Sequence, residues 1–162
     1  MKKINVVVTG AGSAVGQGIL KCLSKLKKKI NLIPADISTL NAGLYFLKKS
    51  IIIPKVESYD AKKKIISIIK KNKINALFVG SEYEIEFFSK YKNEIEYITK
   101  SKIFVSNLRT VQIGNDKFKT YSFLKRNNFL VPKTILLKKN LLDRIVKEIN
   151  FPCIIKPRKG TS

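Results

Sequence analysis

The sequence contains no histidine, and only two of its 162 residues are cysteine. Without histidine, the chain cannot form Ser-His-Asp or Cys-His nucleophile systems, histidine general bases or histidine-containing zinc sites. Cys22 and Cys153 lie far apart in the chain, each within an apolar segment. We therefore predict two buried, reduced thiols, as expected of a cytoplasmic protein.

Acidic residues are also scarce, with 11 against 33 basic residues and a formal net charge of +22. Such a charge is typical of nucleic-acid-binding proteins. Almost all the basic residues are lysines spread over the predicted helices and loops, however, whereas base readout favours arginine. Lysine, isoleucine and asparagine are abundant together, as a drift toward AT-rich codons would give. We favour a solvated, compositionally biased surface with no specific nucleic-acid partner, and expect weak binding of polyanions at low salt.

Long hydrophobic runs are missing too. No apolar run approaches the ~20 residues that a membrane span needs. The lysines at the N-terminus precede a short apolar run, but no convincing cleavage site follows it. We expect a cytoplasmic protein with no membrane partner, and hydrophobic residues, at 44%, suffice for a sizeable core.

What the chain does contain is a regular alternation of apolar runs and amphipathic stretches. This alternation predicts an α/β fold with a Rossmann-like parallel sheet covered on both faces. The predicted strands are Ile4–Val8, Ile30–Ala35 (ending at Asp36), Ser50–Ile53, Ala76–Val79 and Ile103–Val105. The predicted helices are Ala14–Lys27, Asn41–Lys48, Tyr59–Lys71 and Glu84–Lys92, with Asn93–Thr99 as a further helical stretch.

The alternation changes near Ser106–Gly114, where we place a domain boundary. The sequence that follows predicts two helices and two strands, with Asn115 or Asp116 able to cap the first helix. Two helices and two strands make a poor core alone, and a Gly/Ser/Thr loop normally leads into a further element. We therefore expect the sequence to be truncated inside a second domain. These four elements are Asp116–Asn127, Val131–Leu137, Asn140–Glu148 and Cys153–Lys156.

A glycine loop follows the first strand, in "VVVTGAGSAVGQGILKCL". Gly10, Gly12 and Gly16 at a strand-to-helix turn, with Asp36 at the end of the second strand, are typical of dinucleotide-binding domains. The loop therefore favours, as one alternative, an NAD(P)-binding oxidoreductase of the short-chain type. The other alternative is a tight turn that allows helix–sheet packing. The Tyr-x-x-x-Lys pairs at Tyr59 and Tyr121 do not lie where the catalytic pair of short-chain enzymes does.

Two later segments, "GNDKFKTYSFLKRNNFLVPKTILL" and "FPCIIKPRKGTS", together resemble ATP-grasp enzymes. The resemblance is to the large subunit of carbamoyl phosphate synthase and related carboxylate–amine ligases. It rests on Asp116-Lys117, Val131–Thr134 and Phe151–Pro157, and extends back over the whole chain. It implies a Rossmann-like pre-ATP-grasp domain at residues 1–107. It further implies an incomplete α+β ATP-grasp subdomain at residues 108–162, truncated in the glycine-rich lid.

The resemblance implies an enzyme that transfers the γ-phosphoryl group of ATP to a carboxylate, after which an amine attacks the acyl phosphate. The family's magnesium ligands follow the lid, so ATP and Mg²⁺ belong to the parent enzyme and this chain has no metal or catalytic residue. The fragment itself is then expected to be inactive. In a lysine-rich chain, the alternative for each matched lysine is an ordinary exposed side chain. The implied ATP-binding residues are Lys117, Lys156, Gly160, Thr161 and Ser162.

The partners implied by the resemblance are small-molecule carboxylates and amines, and the family is compatible with a homodimer. Its glycine loop faces the active site, so Gly10, Ala11, Gly12 and Ser13 are predicted to bind an anionic group of the substrate. Glu82 follows the fourth strand, which neighbours the first in the usual doubly wound order. We predict that Glu82 binds an amine or hydroxyl. The alternative is that it only caps the next helix.

Overall fold

One sheet consists of the five parallel strands β1 (Ile4–Val8), β2 (Ile30–Asp36), β3 (Ile51–Ile52), β4 (Ala76–Phe78) and β5 (Lys102–Phe104). Their order across the sheet is β3-β2-β1-β4-β5. Strand β1 lies in the middle, where Val7 is paired with Ile33 of β2 and with Leu77 of β4. Val6, Val7 and Val8 are all buried, as an apolar run covered on both faces should be. The predicted Rossmann-like parallel sheet is confirmed.

This computed structural model describes residues 3–26, 28–137 and 151–160. The chain divides into two compact units, Met1–Leu108 and Arg109–Ser162. The sheet belongs to the first unit. Among the described residues, no helix is both long enough and apolar enough to cross a membrane.

Helices cover both faces of the sheet in the first unit: α1 (Ala14–Ser24), a short 3-10 helix (Ala42–Phe46), α2 (Ala61–Lys71) and α3 (Glu82–Thr99). Residues Ile65 and Ile69 of α2 and Phe88 and Ile95 of α3 pack with Val7 in the larger core cluster. Leu20 of α1 packs with Val8 and with Leu44 of the 3-10 helix in a second cluster. The two predicted stretches after Glu84 form one continuous helix.

The prediction that Cys22 is buried was wrong, since its side chain is exposed. The buried residues of α1 are Gly16 and Leu20 instead. A Cβ at position 16 would overlap the carbonyl oxygen of Gly10, so the backbone of the helix lies directly against the glycine loop there. Cys22 follows the buried Leu20 by two residues and is therefore rotated by about 200° from it around the helix axis.

The second unit contains two helices among its described residues. Helix α4 (Leu108–Gly114) begins at the last residue of the first unit, and α5 (Lys117–Arg126) follows. Asp116 caps α5, as predicted, by accepting hydrogen bonds from the amides of Phe118 at 3.1 Å and Lys119 at 3.0 Å.

The strands predicted at Val131–Leu137 and Cys153–Lys156 are not formed, although both segments are described. A strand needs a neighbour to bond its backbone, and a sequence pattern cannot supply one. Ile154 and Ile155 are 82% and 84% exposed, and Cys153 is exposed as well, contrary to the prediction. The predicted helix Asn140–Glu148 lies outside the described residues.

Candidate functional site at the carboxyl edge of the sheet

Because the strands are parallel, the loops that follow β1, β2 and β4 meet at one edge of the sheet. Gly10 follows β1 with a φ of +57°, a conformation that side chains rarely adopt. A Cβ at Gly10 would also lie 2.6 Å from the Cβ of Ser81, after β4. The fold itself thus needs a glycine here, as the tight-turn interpretation requires.

The amides of the glycine loop are already engaged within the first unit. Ala11 N–H donates to the Ala35 carbonyl at 3.0 Å, and Gly12 N–H donates to Asp36 Oδ2 at 2.7 Å. The Ser13 hydroxyl donates to the Gly80 carbonyl at 2.6 Å and accepts from the amide of Gly16, capping α1. An anionic ligand would have to compete with these bonds. The assignment of Gly10, Ala11, Gly12 and Ser13 to a substrate stays a prediction.

Asp36 is 4% exposed and bonded on both carboxylate oxygens. Its Oδ2 accepts from Gly12, and its Oδ1 accepts from the Ile37 amide at 2.7 Å and from the Asn41 side chain. A dinucleotide-binding acid must present its carboxylate to the ribose. The bonding of Asp36 to the loop therefore disfavours the dinucleotide alternative and supports a structural role.

Glu82 and Glu84 follow β4 closely but lie in different environments. Glu82 is the exposed first residue of α3, directly after the N-cap Ser81. Glu84 is only 4% exposed, and its Oε2 is buried without a hydrogen-bond partner. The predicted role of Glu82 stays a prediction, whereas sequence reasoning missed Glu84. The sequence did indicate that Glu84 would be buried, because Glu84 precedes Phe88 by four residues and so lies on the apolar face of the helix.

Burial is the main cause that raises the pKa of the Glu84 carboxyl to about 7. The nearby carboxylates of Asp36 and Glu57 act in the same direction, and a hydrogen bond with Thr9 opposes them. Thr9 follows β1 and is fully buried. A carboxyl with this pKa exchanges a proton near neutral pH, as a general acid or base does.

Glu84 lines a cleft of about 450 Å³ at this edge. A second cleft of about 490 Å³ lies where β1 and β2 begin, beside Asn5 and Ile30, and contains no buried titratable residue. The cleft beside Glu84 is therefore the better candidate for chemistry. Its lining residues are Ile37, Lys55, Val56, Glu57, Ser81, Tyr83 and Glu84.

In the second unit, the structure brings together two of the predicted ATP-binding residues. The Lys117 ammonium donates to the Gly160 carbonyl at 2.7 Å. Lys156 is exposed, and Thr161 and Ser162 lie outside the described residues. Within the described ranges, no three His, Cys, Asp or Glu side chains are grouped so as to hold a metal ion.

Comparison with known proteins places these features in a family. Residues 6–101 match the model of the PylC-like N-terminal domain. The uncharacterized protein MG011 of Mycoplasma genitalium is 32% identical in an alignment of 111 residues that covers 59% of this chain and 36% of that protein. The matched part of this chain therefore spans little more than a third of that relative.

Solved structures share the fold. L-amino acid ligase from Bacillus licheniformis matches with a TM-score of 0.68 and 14% identity, over 99% of this chain and 38% of its own. The biotin carboxylase domain dimer of Hydrogenobacter thermophilus 2-oxoglutarate carboxylase was solved with MgADP, ADP and bicarbonate. It matches with a TM-score of 0.62 and 16% identity, over 94% of this chain and 34% of its own. Glycinamide-RNase-transformylase T from Mycobacterium tuberculosis matches with a TM-score of 0.58 and 12% identity, over 85% of this chain and 39% of its own. The resemblance to ATP-grasp proteins is confirmed.

Proposed function

Since this chain belongs to the PylC-like N-terminal domain family, we propose that it supplies the N-terminal part of an ATP-dependent carboxylate–amine or ammonia ligase. The proposal rests above all on the family match over residues 6–101. In this reaction, the γ-phosphoryl group of ATP moves to a carboxylate oxygen and leaves ADP. The nitrogen then attacks the carbonyl carbon of the acyl phosphate, and phosphate leaves. The finer proposal is a reaction of the carbamoyl phosphate synthase large-subunit type.

The residues proposed to bind the nucleotide belong to the second unit. Phosphoryl transfer needs cations that neutralise the phosphate oxygens. Lys117 starts a capped helix and already lies 2.7 Å from the Gly160 carbonyl, which supports a shared role for these two residues. Lys156, Thr161 and Ser162 complete the proposed set. The proposal assigns no residue of the described ranges to Mg²⁺.

Within the first unit, we assign the substrate to the cleft beside Glu84. An ammonium must lose a proton before its nitrogen can attack an acyl phosphate. A buried carboxyl with a pKa of about 7 and an unpartnered oxygen can accept that proton near neutral pH. Glu84 thus joins Glu82 as a candidate residue for interaction with the amine substrate. We further propose that the protein assembles as a homodimer in the cytoplasm.

Calorimetric titration of the purified chain with ATP and with NADH tests the nucleotide part of this proposal. We expect ATP to bind, and Lys117→Met to weaken it, because the variant removes a phosphate-neutralising cation. The matched control is Lys119→Met, which removes an exposed lysine from the same helix and should leave the affinity unchanged. Tighter binding of NADH than of ATP would contradict the proposal.

A further inference from the structure

Asp116 is 1% exposed, and the hydrogen bonds described for its carboxylate come from helix-capping amides and from a charged side chain. Besides the amides of Phe118 and Lys119, it accepts from Arg158. Arg158 Nε lies 2.9 Å from each carboxylate oxygen, and Arg158 Nη2 lies 2.8 Å from Oδ2. This charged, multiply bonded pair joins residues 42 positions apart.

The same two segments are joined twice more. The backbone amide of Lys117 donates to the Arg158 carbonyl at 3.0 Å, and its ammonium donates to the Gly160 carbonyl at 2.7 Å. Gly160 has a φ of +91°, which a side chain would strain. We call these four residues, Asp116, Lys117, Arg158 and Gly160, the clasp.

The bonds of the clasp differ in how readily a ligand could replace them. The buried Asp116 carboxylate accepts hydrogen bonds from the oppositely charged Arg158 guanidinium and from the first amides of α5. Such charge-assisted bonds are strong. The hydrogen bond of the Lys117 ammonium goes to a neutral carbonyl at an exposed position. Phosphate oxygens carry negative charge and bind an ammonium more strongly than a carbonyl does. A polyphosphate could therefore replace the Gly160 carbonyl as the acceptor for the Lys117 ammonium, while Asp116 stays paired with Arg158.

We propose that Arg158 is a positioning residue that acts through Asp116. The pair fixes residues 158–160 at the start of α5, where the Gly160 carbonyl accepts a hydrogen bond from the Lys117 ammonium. The phosphates of a nucleoside triphosphate then displace this carbonyl from Lys117. Only the identity of the displacing ligand rests on the proposed function. The Arg158 hydrogen bond is also the main cause that lowers the pKa of Asp116 to about 2. The pair thus stays ionised at neutral pH.

Amide hydrogen exchange, measured by NMR on the full chain without nucleotide, tests the clasp directly. Arg158→Gln removes the ion pair, so we expect exchange at the Lys117 amide to become about tenfold faster or more. Asp116→Asn should have the same effect while keeping one oxygen to cap α5. Lys159→Gln, at the exposed neighbouring position, should change nothing. Unchanged exchange in Arg158→Gln, with the amides of α5 still protected, would overturn the inference.

ATP titration of the same variants tests the displacement. We expect Arg158→Gln to weaken ATP binding about tenfold in the native background, and less than about twofold in a Lys117→Met background, because Arg158 acts through Lys117. Equal weakening in both backgrounds would contradict the positioning role. Absence of ATP binding by the native chain would count against the proposed function, and the exchange experiment would then decide the clasp alone.

Discussion

The amide of Gly12 donates to the carboxylate of Asp36 at 2.7 Å, so the glycine loop and the acid that suggest a dinucleotide site bind each other. Both groups come from loops at the carboxyl edge of the sheet, and Asp36 is almost completely buried. This bond gives the loop a structural role, and it leaves Glu84 as the buried carboxyl with an unpartnered oxygen at that edge.

Asp36→Asn should therefore destabilise the first unit by about 1–3 kcal/mol, because an amide NH₂ would face a backbone or Asn41 donor in a buried position. Urea unfolding measures the loss. Asp60→Asn is the matched control, because Asp60 pairs with Lys64 at an exposed site and should leave stability nearly unchanged. Equal stability of Asp36→Asn and the native chain would show that the loop does not depend on this carboxylate.

Gly16→Ala should also be destabilising, by about 1–3 kcal/mol, because its Cβ would overlap the Gly10 carbonyl. Gly18→Ala offers a control on the same helix, since a Cβ there meets nothing within 4 Å. That variant should gain about 0.5–1 kcal/mol from the higher helix propensity of alanine. Thermal unfolding of both variants compares them, and similar effects of the two would contradict the close approach at Gly16.

Glu84 should make stability fall as pH rises. Its pKa is raised from 4.5 to about 7 in the folded chain, so the folded state binds more protons than the unfolded state between these values. The free energy of unfolding then decreases from about pH 4.5 to pH 7, by an amount on the order of 3 kcal/mol.

Glu84→Gln cannot ionise and should lose this dependence, so that it exceeds the native chain in stability at pH 8 but not at pH 4. Urea unfolding across this range measures the difference. Glu82→Gln, at the exposed neighbouring acid, is the control and should follow the native curve. Parallel curves for the native chain and Glu84→Gln would argue against a protonated Glu84.

The purified chain should not hydrolyse ATP or ligate substrates in the presence of Mg²⁺. The resemblance places the magnesium ligands after the glycine-rich lid, and phosphoryl transfer without the metal lacks its main charge stabilisation. A coupled assay for ADP release measures this. Magnesium-dependent turnover that Lys156→Ala abolishes would overturn the prediction.

The sequence alone determined the elements whose signals are local. The apolar run of β1 predicted a strand buried on both faces, and the alternation that follows it predicted the parallel sheet. Asp116 before the helix α5 predicted its cap. Each of these depends on a few neighbouring residues, whose spacing decides which backbone conformation buries apolar surface or satisfies the free amides.

Tertiary structure decided everything that depends on a distant partner. The close approach of Gly16 to Gly10 set the rotation of α1, which exposes Cys22. The apolar face of α3 carried Glu84 into the interior while Glu82 stayed outside. Arg158 reached Asp116 across 42 positions. Burial and pairing arise between segments that the chain brings together only when folded, so spacing along the sequence could name these residues but not their partners.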